Sequence, residues 1–529
     1  MPRPSSEAPL PAGLRRYLFF TAAVTGASIL VIEILGAKML APYFGTSHFV
    51  WTAQIGVTMV ALAAGYYLGG RLADRFPRLG LLYGAILLAA IYLCVSVRQC
   101  QALSYLCLRL PLAPGSLLAS TLLYFPPLTL LAMTGPFFTR VLSVSVQTVG
   151  TLVGKISSIG TLGSVAGTVL IGYVLIPFLP NSVTMYATAG LLAAVTAGYW
   201  LVWGRAGGGR AAGLAGAVVA SLLIYSGWSE QSVSTMPFAL ELFRGNSNFG
   251  LLQVVQNEAG TRRFFLNDFL CQNSYDPAAK KSLSLFSYML HDLATAYYET
   301  GGEDGAAPAR RVRRVLCIGL GVGMAPMAFA REGATVDVVE INPAVVALGK
   351  RFFDLEPDRI NLHIGDGRAF LNRLAPGYDA LLLDAFLGES SPAHLMSREA
   401  FAAMRGLLKP KGVLVINSFG AFEPGRDFLC GSLYKTLSAV FGKVLIHDSG
   451  SGNVFFVATP AGQLGPARVP ALDHVHPDCR RQVRETFARV VAQPPAAGIV
   501  LTDDFNPVDF HDAANREQWR RNLALSMAP

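Results

Sequence analysis

The chain has 529 residues, more than one ordinary domain holds. Apolar residues make up 52% and charged residues 15%, with mean hydropathy +0.43; these values are high for a soluble enzyme and fit a chain with membrane segments. The net charge of +9 is uneven: residues 1–230 carry 13 Lys and Arg against 4 Asp and Glu, and the remainder carries 30 of each sign. The basic excess therefore belongs to the apolar half, where positive loops set orientation, and the neutral second half argues against a nucleic-acid partner. Seven cysteines form no CxxC pair, which suits a reducing compartment better than a disulfide framework or zinc site, and no metal is expected.

A Pro-rich tail, residues 1–16, ends in Arg15-Arg16. Apolar runs follow at 17–37, 51–70, 80–97, 117–138, 150–178, 182–203 and 211–228, so residues 17–230 read as a membrane domain of seven spans. Most runs reach the roughly 20 residues that a helix needs to cross a bilayer. The first lacks a convincing cleavage site and is read as a retained span. Gly163 and Gly167 have GxxxG spacing, either a seam for close helix packing in the interior or a chance pattern. Glu33 lies inside the first span, either on a polar pathway or in a structural pair with Lys38 or another span. Gly69–Arg75 resembles the short cytoplasmic loop between early helices of major facilitator transporters, over about ten residues. Loop charges favour an internal N-terminus, yet seven spans would then place the second half outside. The stretch 98–138, with Pro111, Pro114, Pro126 and Pro127, is where the count is least secure.

From residue 231 the pattern changes. Alternation in Gly250–Gln256 and Arg262–Asp268 predicts short strands joined at Glu258-Ala259-Gly260, and 282–298 predicts an amphipathic helix. A polar linker, 301–309, leads to a strand–helix alternation over 310–460. Strands are expected at 312–318, 335–341, 359–364, 378–384 and 413–418, with a closing hairpin at 443–448 and 453–459. Apolar strands alternating with helices imply a parallel sheet covered on both faces, a Rossmann-like, methyltransferase-type α/β domain with a small β lead-in (231–300). Residues 461–529 form a C-terminal extension.

The chemistry gathers at strand ends. The first strand runs into Gly319, Gly321 and Gly323, a turn that lets backbone approach a ligand at a helix N-terminus. Glu340 closes the second strand, placed to accept hydrogen bonds from ribose hydroxyls. Asp366-Gly367 follows the third strand, near an adenine edge, and Asp384 ends the fourth. An NAD domain, or acids that only cap helices, is the competing reading.

Several stretches between 245 and 460 resemble spermidine synthase and its relatives: Asp268–Gln272, Val339–Asn342, Gly365-Asp366-Gly367 and Tyr378–Asp384. With the apolar half attached, the chain resembles the membrane-fused spermidine synthase-like proteins of bacteria. The resemblance implies aminopropyl transfer from decarboxylated S-adenosylmethionine to putrescine or a related amine, with Asp384 as the catalytic carboxylate and Gln272 among the cofactor-binding residues. It breaks at Val322 and Leu387, where the family carries acids. Tyr288 and His291 only loosely echo its Tyr-His-Glu stretch. Glu389, His394, Asp503 and Asp504 are further substrate-side candidates; His394 is as readily a helix-start residue, and Asp503-Asp504 a helix cap. Two other readings stay open: an S-adenosylmethionine-dependent methyltransferase, and a membrane polyamine sensor or transporter with a non-catalytic binding domain. The expected setting is the inner cell membrane, with the second half cytoplasmic, a small-molecule amine and the lipid bilayer as partners, and a homodimer as one assembly.

Overall fold

The structure is a computed structural model that describes residues 10–45, 48–143, 146–204, 208–229, 239–299, 311–386, 392–464 and 471–508; Leu387 and Glu389 lie outside them, as does the linker at 301–309. It forms two compact units that divide at Thr235/Met236.

The first unit is helical: α1 (Ala12–Phe44), α2 (His48–Arg75), α3 (Leu79–Cys107), α4 (Leu112–Ala132) and α5 (Thr134–Leu142), then α6 (Val149–Leu170), which runs through a π-turn into α7 (Ile176–Phe178), and α8 (Asn181–Trp203) and α9 (Gly208–Ser229). Six of the described helical stretches are long and apolar enough to cross a membrane; Leu112–Leu142 counts as one of these, and Gly213–Gly227 is a shorter apolar helix. The seven apolar runs are all helical. The span count therefore turns on α9, not on 98–138, where Pro126 and Pro127 sit inside α4 without ending it.

Small residues set the seam between α1 and α6. A Cβ on Gly163 would lie 2.1 Å from the Ala23 carbonyl oxygen, and one on Gly26 would lie 2.2 Å from that of Gly160. Backbones touch there, and Ser164 Oγ donates to Gly26 O at 2.9 Å. The opposite face of α6 is not interior: Leu162, Val165, Val169 and Leu170 are exposed. Glu33 meets the Thr58 hydroxyl of α2.

The second unit opens with an antiparallel sheet in sequence order: β1 (Ala239–Ser247), β2 (Gly250–Asn257), β3 (Arg263–Asn267), β4 (Leu270–Asp276) and β5 (Lys281–Ser282). The tight turn between β3 and β4 places Asp268 and Phe269 at φ 46° and 65°. After α10 (Leu285–Glu299) comes the alternation β6 (Arg314–Ile318), α11 (Met324–Arg331), β7 (Thr335–Glu340), α12 (Pro343–Phe352), β8 (Asn361–Ile364), α13 (Gly367–Leu371), β9 (Tyr378–Leu383), α14 (Arg398–Leu407), β10 (Leu408–Phe419), α15 (Phe428–Ser438), β11 (Lys443–Asp448) and β12 (Asn453–Thr459). The extension contributes α16 (Pro477–Ala488).

These seven strands form one sheet ordered β11-β12-β10-β9-β6-β7-β8, parallel from β10 to β8 and antiparallel at β12 and β11. Its central strands are apolar on both faces because helices cover both. Val315, Cys317, Ala380 and Leu382 pack with Met289 and Leu293 of α10, whereas Leu316, Ile318, Leu381 and Leu383 pack with Phe401 and Met404 of α14. Strand order reverses between β6 and β9, so the loops after these two strands flank a crevice at the carboxyl edge.

Candidate active site

The loop after β6 is shaped by glycine. Gly319, Gly321 and Gly323 have φ of 93°, 54° and 88°, a region that side chains disfavour. At Gly319 space is also forbidding: a Cβ there would stand 2.2 Å from the carbonyl oxygen of Asp384. The reason is the sheet itself, since Asp384 N donates to Ile318 O at 2.9 Å and draws the β9 end against the β6 end. Gly323 then opens α11.

Glu340, 7% exposed, braces this loop. Its Oε2 accepts from Leu320 N at 3.0 Å and its Oε1 from Asn342 N at 2.8 Å. Burial pushes its carboxyl up, and these amides oppose the shift. The amides of Leu320, Asn342 and Ile341 take three of the carboxylate's roughly four acceptor sites, so a ribose hydroxyl remains a chemically sound partner for the fourth. Asp366 caps α13 through Ala369 N at 3.0 Å, and its Oδ2 lies 3.0 Å from His394 Nε2.

Asp384 stands across the crevice. Burial pushes its carboxyl up to about 6, against the opposing hydrogen bond from Asn417 Nδ2 to Oδ1 at 2.8 Å. Asn417 Oδ1 in turn accepts from Asn453 Nδ2 at 3.0 Å, so an amide relay from β10 and β12 orients the carboxylate. Asp384, Gly319, Gly321 and Asn273 line a cleft of about 320 Å³ with Phe286 and Ser287 of α10. Asp384 is the one carboxylate among the described residues lining it. A half-buried base facing a glycine turn, inside mostly apolar walls, can take a proton from a bound acceptor next to a nucleoside held along the sheet edge.

Residues 298–429 match the family described as the spermine/spermidine synthase domain. It is 42% identical over 112 residues to the polyamine aminopropyltransferase of Vibrio vulnificus, covering 20% of this chain and 38% of that one. It is 35% identical over 153 residues to the N-terminal histidine N-methyltransferase of Emericella nidulans, covering 28% and 26%. The chain thus spans well under half the length of these two relatives. A probable spermidine synthase from Corynebacterium glutamicum superposes with a TM-score of 0.37 at 16% identity, over 55% of this chain and 95% of that one.

The second unit brings Gly319, Gly321, Glu340, Asp366, Gly367 and Asp384 to one edge of its seven-stranded sheet. Other expected residues lie elsewhere. Asn273, not Gln272, lines the cleft, because a β-bulge between β3 and β4 shifts the register there. Tyr288 and His291 face away from it: Tyr288 Oη donates to Ser282 O at 2.7 Å, and His291 Nδ1 pairs with Asp292. Phe286, Ser287 and Leu290 occupy the cleft face of α10 instead. Asp503 is held by Arg368 at 2.7 Å and by the Ser397 hydroxyl, bracing the start of α14, so it supplies no carboxylate to the cleft. Asp504 is exposed and does not line the cleft either. Val322 is 1% exposed in the core beneath the lead-in sheet, where an acid would be buried beside Leu348 and Phe353.

Proposed function

We propose that this chain is a membrane-embedded aminopropyltransferase that moves the aminopropyl group of decarboxylated S-adenosylmethionine onto an amine, putrescine or a relative, with the synthase domain in the cytoplasm. The observation that carries the reading is Asp384, a half-buried, amide-oriented carboxylate facing the glycine loop across the reversal in strand order. Gly319–Gly323, Glu340 and Asp366 would hold the nucleoside, which supplies a carbon already activated by its sulfonium sulfur. An alkylammonium has a pKa of about 10 in water, so it must lose a proton before it attacks. Apolar walls lower that value by desolvation, while burial raises that of Asp384; the two approach each other, and transfer to the carboxylate becomes feasible. The amine nitrogen then bonds to the carbon, the carbon–sulfur bond breaks, and methylthioadenosine leaves.

A second reading is methyl transfer from S-adenosylmethionine. It draws on the single carboxylate among the cleft's described residues, since a diamine calls for more than one counter-charge, and on the same nucleoside-side residues serving either donor. Mass spectrometry of products from the purified chain, given each donor with a panel of amines, separates the readings. Methylthioadenosine release supports aminopropyl transfer; S-adenosylhomocysteine release with no methylthioadenosine replaces it with the methyltransferase.

For orientation, six spans put both ends of the membrane half on one side, and the Arg-rich loops favour the inside for its start. That reconciles the charge bias with a cytoplasmic nucleoside donor.

A further inference from the structure

We propose that His291, Asp292 and His474 form a binding site for one divalent transition-metal ion of the zinc class, outside the active-site cleft. While α10 turns Phe286, Ser287 and Leu290 to the cleft, it offers His291 and Asp292 to the segment that follows the sheet. There His291 Nδ1 and His474 Nε2 each lie 2.8 Å from the same oxygen, Asp292 Oδ1, and the two imidazole rings are 5.7 Å apart. Asp292 is 1% exposed, yet its other oxygen, Oδ2, has no hydrogen-bond partner. One turn along the helix, Thr295 Oγ1 is also buried without a partner.

The donor set suits the ion. Two imidazoles and one carboxylate are common zinc ligands, at about 2.0–2.2 Å from the metal, which in a tetrahedral site sets neighbouring donor atoms roughly 3.3–3.6 Å apart. The 2.8 Å spacings to Asp292 Oδ1 are those of hydrogen bonds, and the three side chains need to part by roughly 0.5–0.8 Å to admit the ion. The surroundings suit it as well. The far nitrogen of His291, Nε2, is buried outside hydrogen-bond geometry but only 3.0 Å from Glu332 Oε1, the kind of carboxylate that metal-bound histidines usually engage. A network of hydrogen bonds alone leaves Oδ2 bare in the interior, an arrangement that native structures avoid. A cation drawing on Oδ2 removes that anomaly. Bound there, the ion would clamp α10, one wall of the cleft, to the 472–475 segment. Sequence spacing conceals the site, because Asp292 and His474 are 182 residues apart.

The test uses the full chain in detergent, stripped with a chelator and titrated with ZnCl₂ by calorimetry. One equivalent should bind, and the melting temperature should rise with zinc. His474→Ala, at a side chain 40% exposed and so tolerant of truncation, should weaken binding at least a hundredfold and abolish the thermal shift. Glu332→Gln should weaken it about ten- to a hundredfold. X-ray absorption of the zinc-loaded wild type should show a shell of imidazole nitrogen with oxygen. Equal zinc binding by wild type and His474→Ala, or a metal shell without imidazole, overturns the proposal and leaves the cluster as a proton-only network.

Discussion

Replacing Asp384 with Asn tests the catalytic assignment through two effects of opposite sign. The first is loss of the base. The asparagine keeps the shape and can still accept from Asn417 Nδ2, but it cannot take a proton, so turnover should fall by about 10²- to 10⁴-fold. The second is a gain in stability. The folded carboxyl sits at about 6, against 3.8 for an unperturbed Asp. Below 3.8 both states are protonated. Between 3.8 and 6 the unfolded chain releases its proton while the folded chain keeps it, so wild-type stability falls as pH rises through this window and levels off above it. The total is at most about 3 kcal/mol, because a tenfold difference in proton affinity corresponds to about 1.36 kcal/mol. The variant cannot ionise and escapes this loss. Thermal unfolding of both proteins from pH 4 to 8 should show a difference that grows to about pH 6 and then stays flat, worth several degrees for a domain of this size. A residue retained for packing would behave oppositely, losing stability on substitution. Wild-type turnover by the variant, or a pH-independent difference in melting temperature, would falsify the account of Asp384 as a strained base.

Asn417→Ala removes the bond that holds the Asp384 carboxyl down, so the acidic limb of the pH–rate profile should move to higher pH; a limb that stays in place detaches Asn417 from the ionisation. Glu340→Gln turns an amide donor toward the backbone N–H groups of Leu320 or Asn342 and weakens any ribose contact, and a charge-assisted hydrogen bond is worth roughly 1.5–3 kcal/mol. Calorimetry should show affinity for methylthioadenosine reduced about ten- to more than a hundredfold, and unchanged affinity would remove Glu340 from the site. A reporter fused after Pro529 should fluoresce in the cytoplasm. Phosphatase activity from the same position would mean export of the second unit and would make α9 a seventh span.

What could be read from the sequence follows the range of the forces involved. Strand and helix periods are local, so β7, β11 and β12 begin where alternation and turn residues place them, and the strand-end acids follow from strand order alone. Asn417 was open to the same reading, as a polar residue ending an apolar strand, but its partner belongs to another strand and gives no local sign. The face of α10 was harder. Phe286, Ser287 and Leu290 line the cleft because Tyr288 is drawn to Ser282 O and to the His476 amide, and His291 to Asp292 and Glu332. A polar tyrosine and histidine attract a functional reading when the sequence alone is considered. Contacts made by the far C-terminal segment decide instead which way the helix turns, and they leave the cleft with mostly apolar walls and, among the described residues, one carboxylate. On the proposed reading, an amine acceptor would be held there mainly by shape and desolvation, with Asp384 meeting the nitrogen that reacts.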